Sequence, residues 1–292
     1  MYFPCKIRWE NSNRNGFKYR HRKNYGEGFF QRGARVIMAC RNMDKANDAV
    51  KDIKEECKGR ENLGELIVTE LDLSRLKSVK ECANNLLNTE KRINILVNNA
   101  GVMMCPKTKT EDGYELQFAT NHLGHFLLTL LLLPKICQSS PARIVNVSSM
   151  AHSGVKMDFL DLNWDVKKYS ALGAYQQSKL ANILFTKELA RKLNENNIEG
   201  VNVYSLHPGV IKTELGRHII INKIWGLRWL WENISTWFIK TPEQGAQTSI
   251  YCAVDEKCEN ETGLYYAECA VKEPSMEAQN EENSKKAMGN ES

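Results

Sequence analysis

Apolar residues follow two rhythms along this chain. Short, largely apolar runs at Ala34–Cys40, Leu66–Leu71, Ile93–Val97, Ala142–Val147 and Val201–Leu206 predict strands buried on both faces. Between them, apolar residues three and four apart predict helices over Lys45–Cys57, Leu76–Asn88, Gly113–Cys137, Tyr175–Leu193 and Glu243–Val254. Strands alternating with helices specify βαβ units. The predicted fold class is therefore α/β: a doubly wound parallel sheet with helices on both faces. From Lys272 onward the sequence (KEPSMEAQNEENSKKAMGNES) lacks periodicity and most apolar residues, so residues 272–292 predict a disordered tail.

Composition narrows this picture without changing it. A chain of 292 residues, 42% hydrophobic, suits one large domain, here residues 29–271. The formal net charge of +5 argues for no nucleic-acid partner, because several of the cations crowd the segment before Arg35. Nine scattered cysteines without a C-x-x-C pair predict neither a disulfide framework nor a metal site, and a reducing compartment is the default. Residues 1–30 lack the apolar core of a secretory signal. The longest apolar run, Phe126–Pro134, falls far short of the ~20 residues that span a bilayer and predicts a buried helix.

Candidate chemistry gathers where predicted strands end. Ile144–Ser149 (IVNVSS) climbs a strand to two hydroxyls, and Asn98-Asn-Ala-Gly101 ends the preceding strand with small residues that let a ligand approach the backbone. His207-Pro-Gly209, continuing to Thr213, follows a third strand. Tyr175-Gln-Gln-Ser-Lys179 opens a helix, where residues four apart share a face. A cation beside a phenol favours phenolate and lowers its pKa from about 10 towards the working pH, as proton exchange with an alcohol or carbonyl requires. Each feature has a plainer reading. Y-x-x-x-K alone is a common helix face, serines cap and turn chains, Asn121 could be a surface amide, and Asp72 could cap a helix.

In combination these features resemble one family, the short-chain dehydrogenases/reductases, over residues 33–270. NNAG at 98–101, Asn121, VNVSS at 145–149, Tyr175-x-x-x-Lys179 and His207-Pro-Gly209 stand in that family's order. RVIMACRN at 35–42, ATNHLGHFLLT at 119–129, SKLANILFTKELA at 178–190 and IKTPEQGAQTS at 239–249 resemble its retinol dehydrogenase subgroup. The resemblance implies a Rossmann-type sheet and an oxidoreductase that moves a hydride between NADP(H) and a lipophilic alcohol or aldehyde, retinol or retinal first, other lipid aldehydes or steroids next. It implies Tyr175 as general acid/base, Lys179 as the group that lowers its pKa and bonds the nicotinamide ribose, Ser149 as the polariser of the substrate oxygen, and Asn121 as the holder of a relay water. Arg41 stands where an NAD enzyme carries Asp or Glu, and a cation there suits the 2′-phosphate of NADP. Asp72, Asn98, Ala100, Gly101, Pro208, Gly209 and Thr213 match the other cofactor-lining positions. Family members dimerise through a helix that corresponds to residues 123–133, so a homodimer is implied. So is residence on the cytosolic face of the endoplasmic reticulum membrane, or in the cytoplasm if no anchor exists.

The resemblance fails at the front. The subgroup begins with a buried strand and a loop of the form T-G-x-N-T-G-I-G, whereas this chain offers RWENSNRNGFKYRHRKNYGEG over residues 8–28. Codons permitted for Trp9 through Asn24, read one nucleotide later, can encode G-K-T-V-I-V-T-G-S-N-T-G-I-G-K at the right distance from Gly33. A local frame error or an unusual transcript over about residues 8–28 follows. Residues 1–28 are thus expected to leave the first βα unit damaged and a catalytically silent or weakly NADP-binding variant is the alternative reading. The segment Trp225–Phe238, with four tryptophans, predicts a lid over an apolar substrate, a peripheral membrane contact, or ordinary core.

Overall fold

The structure, a computed structural model, describes the backbone at residues 2–3 and the chain over residues 26–209 and 242–289. Its strands are β1 (Tyr2–Phe3), β2 (Arg35–Cys40), β3 (Glu65–Glu70), β4 (Ile95–Asn98), β5 (Ala142–Val147), β6 (Val201–His207), β7 (Tyr265–Ala267) and β8 (Ala270–Val271). They form one sheet in the order β3-β2-β1-β4-β5-β6-β7-β8, parallel except for the last pair. The order reverses between β1 and β4, which is where open parallel sheets bind ligands at the carboxyl ends of their strands.

The helices are α1 (residues 26–30), α2 (Met43–Glu56), α3 (Leu76–Thr89), α4 (Leu116–Gln138), α5 (Ala171–Glu195), α6 (Pro242–Val254), α7 (Met276–Gln279) and α8 (Glu281–Ala287). Side chains alternate across the strands and build two cores. Val36, Met38 and Cys40 of β2, with Val145 and Val147 of β5, pack beside Phe29, Phe30 and Ile53 on one face. Ile37, Ala39 and Ile144 pack beside Leu86, Leu128, Leu132 and Phe185 on the other. Both faces of the sheet are therefore dry, as the continuous apolar runs require. α4 is, by length and composition, apolar enough to cross a membrane, but 61% of its most apolar window is buried within this fold.

Two expectations are corrected. The sequence reading left the central strand position without an occupant, yet Tyr2–Phe3 fills it, with Tyr2 opposite Ile37 and Leu96, and Phe3 opposite Met38. Two residues suffice to bridge the ladder there, and α1 brings Phe29 and Phe30 into the core just before β2. Residues 4–25, which contain most of the anomalous segment, lie outside the described residues. Second, residues 272–289 are not a disordered tail. They carry α7 and α8, and Ala278 and Ala287 join Leu180, Ile183, Leu184 and Tyr265 in a third apolar cluster. Small apolar residues on a mostly polar segment give little periodic signal, but they allow close packing on α5.

Helix placement depends on small residues too. A Cβ on Gly124 of α4 would stand 2.5 Å from the Leu73 carbonyl oxygen, a backbone atom that cannot swing away. Gly124→Ala is expected to cost about 1–3 kcal/mol of stability, the usual range for overpacking. A urea unfolding midpoint equal to that of the unaltered chain would show that α4 does not lie this close to the residues after β3.

Candidate active site

The strand ends β4, β5 and β6 converge on one edge, followed by Asn99–Gly101, Ser148–Ser149 and Pro208–Gly209. Along β4 and β5, Asn98 lies opposite Asn146. Asn98 Nδ2 donates to Thr129 Oγ1 and Asn146 Oδ1, both at 2.8 Å, so its side chain is spent beneath the site, tying β4 to β5 and α4. Asn98 Oδ1 is buried with no partner among the described residues. Ala100 is buried, and a Cβ on Gly101 would meet Asn121 Oδ1 at 3.1 Å and Lys179 Nζ at 3.5 Å. Glycine at 101 therefore keeps a space open directly beside an ammonium, as a cradle for a polar ligand group would need.

Ser170 starts α5 four residues earlier than the apolar spacing predicts, because its side chain accepts from the Gly173 amide at 3.0 Å. This puts Tyr175 in the second turn, buried, with Lys179 one turn further on. Lys179 Nζ lies 5.8 Å from the Tyr175 ring centre and donates to the Val147 carbonyl at 3.0 Å. The two serines divide their work. Ser148 is buried and donates to the Lys179 carbonyl at 2.7 Å, fixing α5 to β5. Ser149, half-buried, caps a 3-10 turn over Met150–Gly154, and its hydroxyl favours ionisation of the nearby Tyr175 phenol.

One electrostatic expectation is reversed in the protein without ligand. Burial pushes the Tyr175 phenol above its ordinary value, and the Ser149 hydrogen bond offsets only part of that rise. The sequence reading counted the neighbouring cation and not the burial of the phenol. With Lys179 directed to a backbone carbonyl, loss of water dominates.

Asn121 sits in a π-helical turn, Ala119–Leu123, inside α4. Extra backbone in such a turn exposes carbonyls that an α-helix would consume. Its amide clamps the irregular stretch after Gly101: Val102 N donates to Oδ1 at 2.7 Å, and Nδ2 donates to Val102 O and to Ser178 Oγ, both at 2.9 Å. Its main-chain carbonyl accepts from Asn182 Nδ2 at 3.1 Å. Asn121 is thus buried and fully engaged, not a surface amide.

The cofactor-side residues are placed unevenly. Arg41 is exposed at the exit of β2, just before Asn42 caps α2. Asp72 follows β3, and its Oδ1 accepts from the amide and the hydroxyl of Ser74 at 3.0 and 2.6 Å. The plainer reading of Asp72 as a helix cap is not met, since Arg75 is the N-cap of α3 and Asp72 instead ties the turn at Ser74. Pro208 and Gly209 close β6, with Gly209 at φ +91°. Thr213 and Trp225–Phe238 lie outside the described residues.

Several contributors escaped the sequence reading. Asn146 Nδ2 donates to Thr186 Oγ1 at 2.9 Å, Thr186 Oγ1 donates to Asn182 O at 2.8 Å, and Asn182 Nδ2 reaches Val147 O as well as Asn121 O. A signal existed. Tyr175, Ser178, Lys179, Asn182 and Thr186 recur three and four residues apart and so mark one polar stripe along the helix.

Over residues 23–223 the chain matches the family model of the short chain dehydrogenases. It is similar to retinol dehydrogenase 13 of Homo sapiens, 46% identical over 259 residues that cover 86% of this chain and 74% of the relative. It is also similar to retinol dehydrogenase 11 of Homo sapiens, 48% identical over 251 residues with the same two coverages, 86% and 74%. Among solved structures, an uncharacterized protein from Mycobacterium paratuberculosis aligns with a TM-score of 0.68 at 30% identity, covering 92% of this chain and 89% of that one.

The raised Tyr175 pKa has a measurable sign. Without added ligand, native Tyr175 holds its proton past about pH 10, where an unfolded tyrosine ionises, so this residue stabilises the fold below that pH and the contribution fades above it. In an alkaline ultraviolet titration, the tyrosinate signal that Tyr175→Phe removes is expected above pH 10, and Ser149→Ala is expected to move it higher. A signal lost below pH 10 would show that the Lys179 charge outweighs burial.

Proposed function

Because the chain belongs to the short-chain dehydrogenase family, we propose that it is an NADP(H)-dependent oxidoreductase for lipophilic alcohols and aldehydes, with retinol and retinal as substrates. The observation that carries this reading is the meeting of Ser149, Tyr175 and Lys179 at the end of β5, with the Lys179 ammonium 5.8 Å from the Tyr175 ring centre. The similarity to retinol dehydrogenases supports the substrate class.

When bound, the nicotinamide supplies or accepts the hydride. The chain's own residues handle the oxygen and its proton. Ser149 donates a hydrogen bond to the substrate oxygen, and Tyr175 gives or takes the proton at that atom. Lys179, next to the space over Gly101, would hold the ribose and favour the phenolate as the site fills. Asn121 would act by clamping Val102 and so shaping the place of a relay water, since both its amide and its main-chain carbonyl are already engaged. Asp72, Asn98, Ala100, Gly101, Pro208, Gly209 and Thr213 would line the cofactor, and Arg41, exposed after β2, would pair with the 2′-phosphate. Pairing through α4 as a homodimer, contact of Trp225–Phe238 with a membrane and residence at the endoplasmic reticulum rest on the family resemblance.

One observation favours a second reading, a silent or weakly binding variant. The glycines just before β2 pack the core. A Cβ on Gly26 would meet Ile53 Cδ1 at 3.6 Å, and one on Gly28 would meet Ile250 Cδ1 at 3.2 Å. Neither is placed as a phosphate-binding turn.

Reduction of all-trans-retinal with NADPH and with NADH tests the first reading, and NADPH is expected to be preferred. Arg41→Glu should abolish that preference, and a retained preference would overturn the cofactor assignment. Tyr175→Phe should lower turnover by about 10²–10⁴-fold, the usual worth of a general acid/base. Melting curves decide between the readings. A bound ligand stabilises by RT ln(1 + [L]/Kd), so the silent variant shows no NADPH-dependent shift. Placing G-K-T-V-I-V-T-G-S-N-T-G-I-G-K over residues 9–23 should then create one, whereas equal shifts in both chains would refute the damaged-loop reading.

A further inference from the structure

His152 stands three residues after Ser149 and takes no part in the proton path described above. Its two ring nitrogens face groups of fixed polarity. Nδ1 lies 2.7 Å from the Ser149 carbonyl oxygen, which can only accept, and Nε2 lies 3.0 Å from the Ser275 backbone N–H, which can only donate. One protonation state satisfies both: the neutral imidazole with its proton on Nδ1. The ring is buried, makes an edge contact with Tyr265 at 5.1 Å between centres, and has the Ser153 hydroxyl 3.5 Å from Nε2. Burial holds its pKa below the ordinary histidine value, which keeps the Nε2 lone pair available.

Ser275 opens the segment whose composition predicts a disordered tail and which instead carries α7 and α8. Behind it, Ala278 of α7 is buried against the cluster of α5 and β7, together with Val155 and Met157 from the stretch that follows the serine turn. Glu277 faces Lys156 of the same stretch at 3.8 Å. The turn carrying Ser149 is thus held from both sides. The His207 Nδ1 at the end of β6 accepts the Met150 amide at 3.2 Å, and His152 joins the Ser149 carbonyl to the C-terminal segment.

We propose that His152 is a positioning residue that locks the turn bearing Ser149 to the C-terminal segment 275–289, making that segment a structural part of the active site. The inference rests on the role proposed for Ser149. Docking of the segment fixes the rotation of the serine turn, and release of the segment frees it.

Single-atom changes separate this from a general packing role. Ser275 has φ −56°, which proline adopts, so Ser275→Pro removes the N–H donor with little backbone strain. Ser275→Ala removes only a hydroxyl that is buried without a partner among the described residues. His152→Asn keeps a donor near the Nδ1 position and loses the Nε2 acceptor, whereas His152→Gln can return an acceptor to it. Amide hydrogen exchange of the full chain is read at residues 149–154 and 276–287, and retinal turnover with NADPH is read beside it. Ser275→Pro and His152→Asn should each speed exchange about tenfold in both segments, in keeping with the loss of one buried hydrogen bond. The double variant should add nothing further, His152→Gln should restore protection, and Ser275→Ala should leave it unchanged. Turnover should fall about as much at an unchanged KM for NADPH. Faster exchange confined to 276–287, additive effects in the double variant, or coupled exchange with undiminished turnover in an active chain would each overturn the proposal. An unaltered chain without turnover counts against the proposed function alone, because the exchange data still decide the coupling.

Discussion

A buried side-chain amide has two donors and an acceptor to satisfy, and four asparagines under the carboxyl edge of the sheet meet most of this demand, although Asn98 Oδ1 has no partner among the described residues. Asn98, Asn146, Asn182 and Asn121 are all buried, and the hydroxyls of Thr129 and Thr186 complete the chain between them. The bonds cross from α4 to β4, β4 to β5, β5 to α5 and α5 back to α4, and the Thr186–Asn182 bond joins two of them within α5. Most of the remaining contact between sheet and helices is apolar and non-directional, so it fixes distance better than rotation. The polar chain supplies the rotation. It sets which face of α5 meets β5, and hence where Tyr175 and Lys179 stand relative to Ser149. Networks of this kind are held together by the cost of an unpaired buried group, so the effects of substitutions along it should not add.

The architecture was legible because a parallel sheet covered on both faces leaves strong marks. β2 and β5 are runs in which both alternating sets are apolar, and their limits were read to within a residue of Arg35–Cys40 and Ala142–Val147. The shortest and most polar elements left no such mark. Tyr2–Phe3 is too brief to show a period, although register with β2 and β4 makes it a strand. α8, with the sequence EENSKKA, shows only charge on a helical wheel, and its hold on α5 comes from the buried Ser284 and from Ala287.

Within the site, residue identity was easier to read than residue state. Tyr175, Lys179, Ser149 and Asn121 come together as their order along the chain implied. The spacing of Tyr175 and Lys179 said that a cation was near, but the balance between that charge and lost hydration depends on depth, which spacing does not encode. Asn121 shows the same limit. Its position in a helix leaves a surface amide as the plainer reading, whereas the amide is buried and bonded to Val102. A π turn depends on which carbonyls find partners outside the helix, here the Asn182 side chain, and so is a tertiary property with no local signature.

These observations place the serine turn differently from the other two strand ends. Asn98 closes β4 with its own side chain locked into the network, and Lys179 and Asn182 hold the Val147 carbonyl at the end of β5. Beyond Ser148, the turn reaches past the network and must take its anchors from outside it. Two histidines provide them, His207 to the Met150 amide and His152 to the Ser149 carbonyl. Imidazole suits this task because a neutral ring offers one donor and one acceptor in fixed opposition, so it can hold a backbone group from each side without carrying charge into a buried edge. The same chemistry makes these anchors conditional. An asparagine in the network keeps its donors and acceptor at any pH, whereas a histidine that gains a second proton turns its acceptor into a donor. At His152 that proton would go to Nε2 and break the bond to the Ser275 amide while Nδ1 kept the Ser149 carbonyl, so the turn would lose its link to the C-terminal segment.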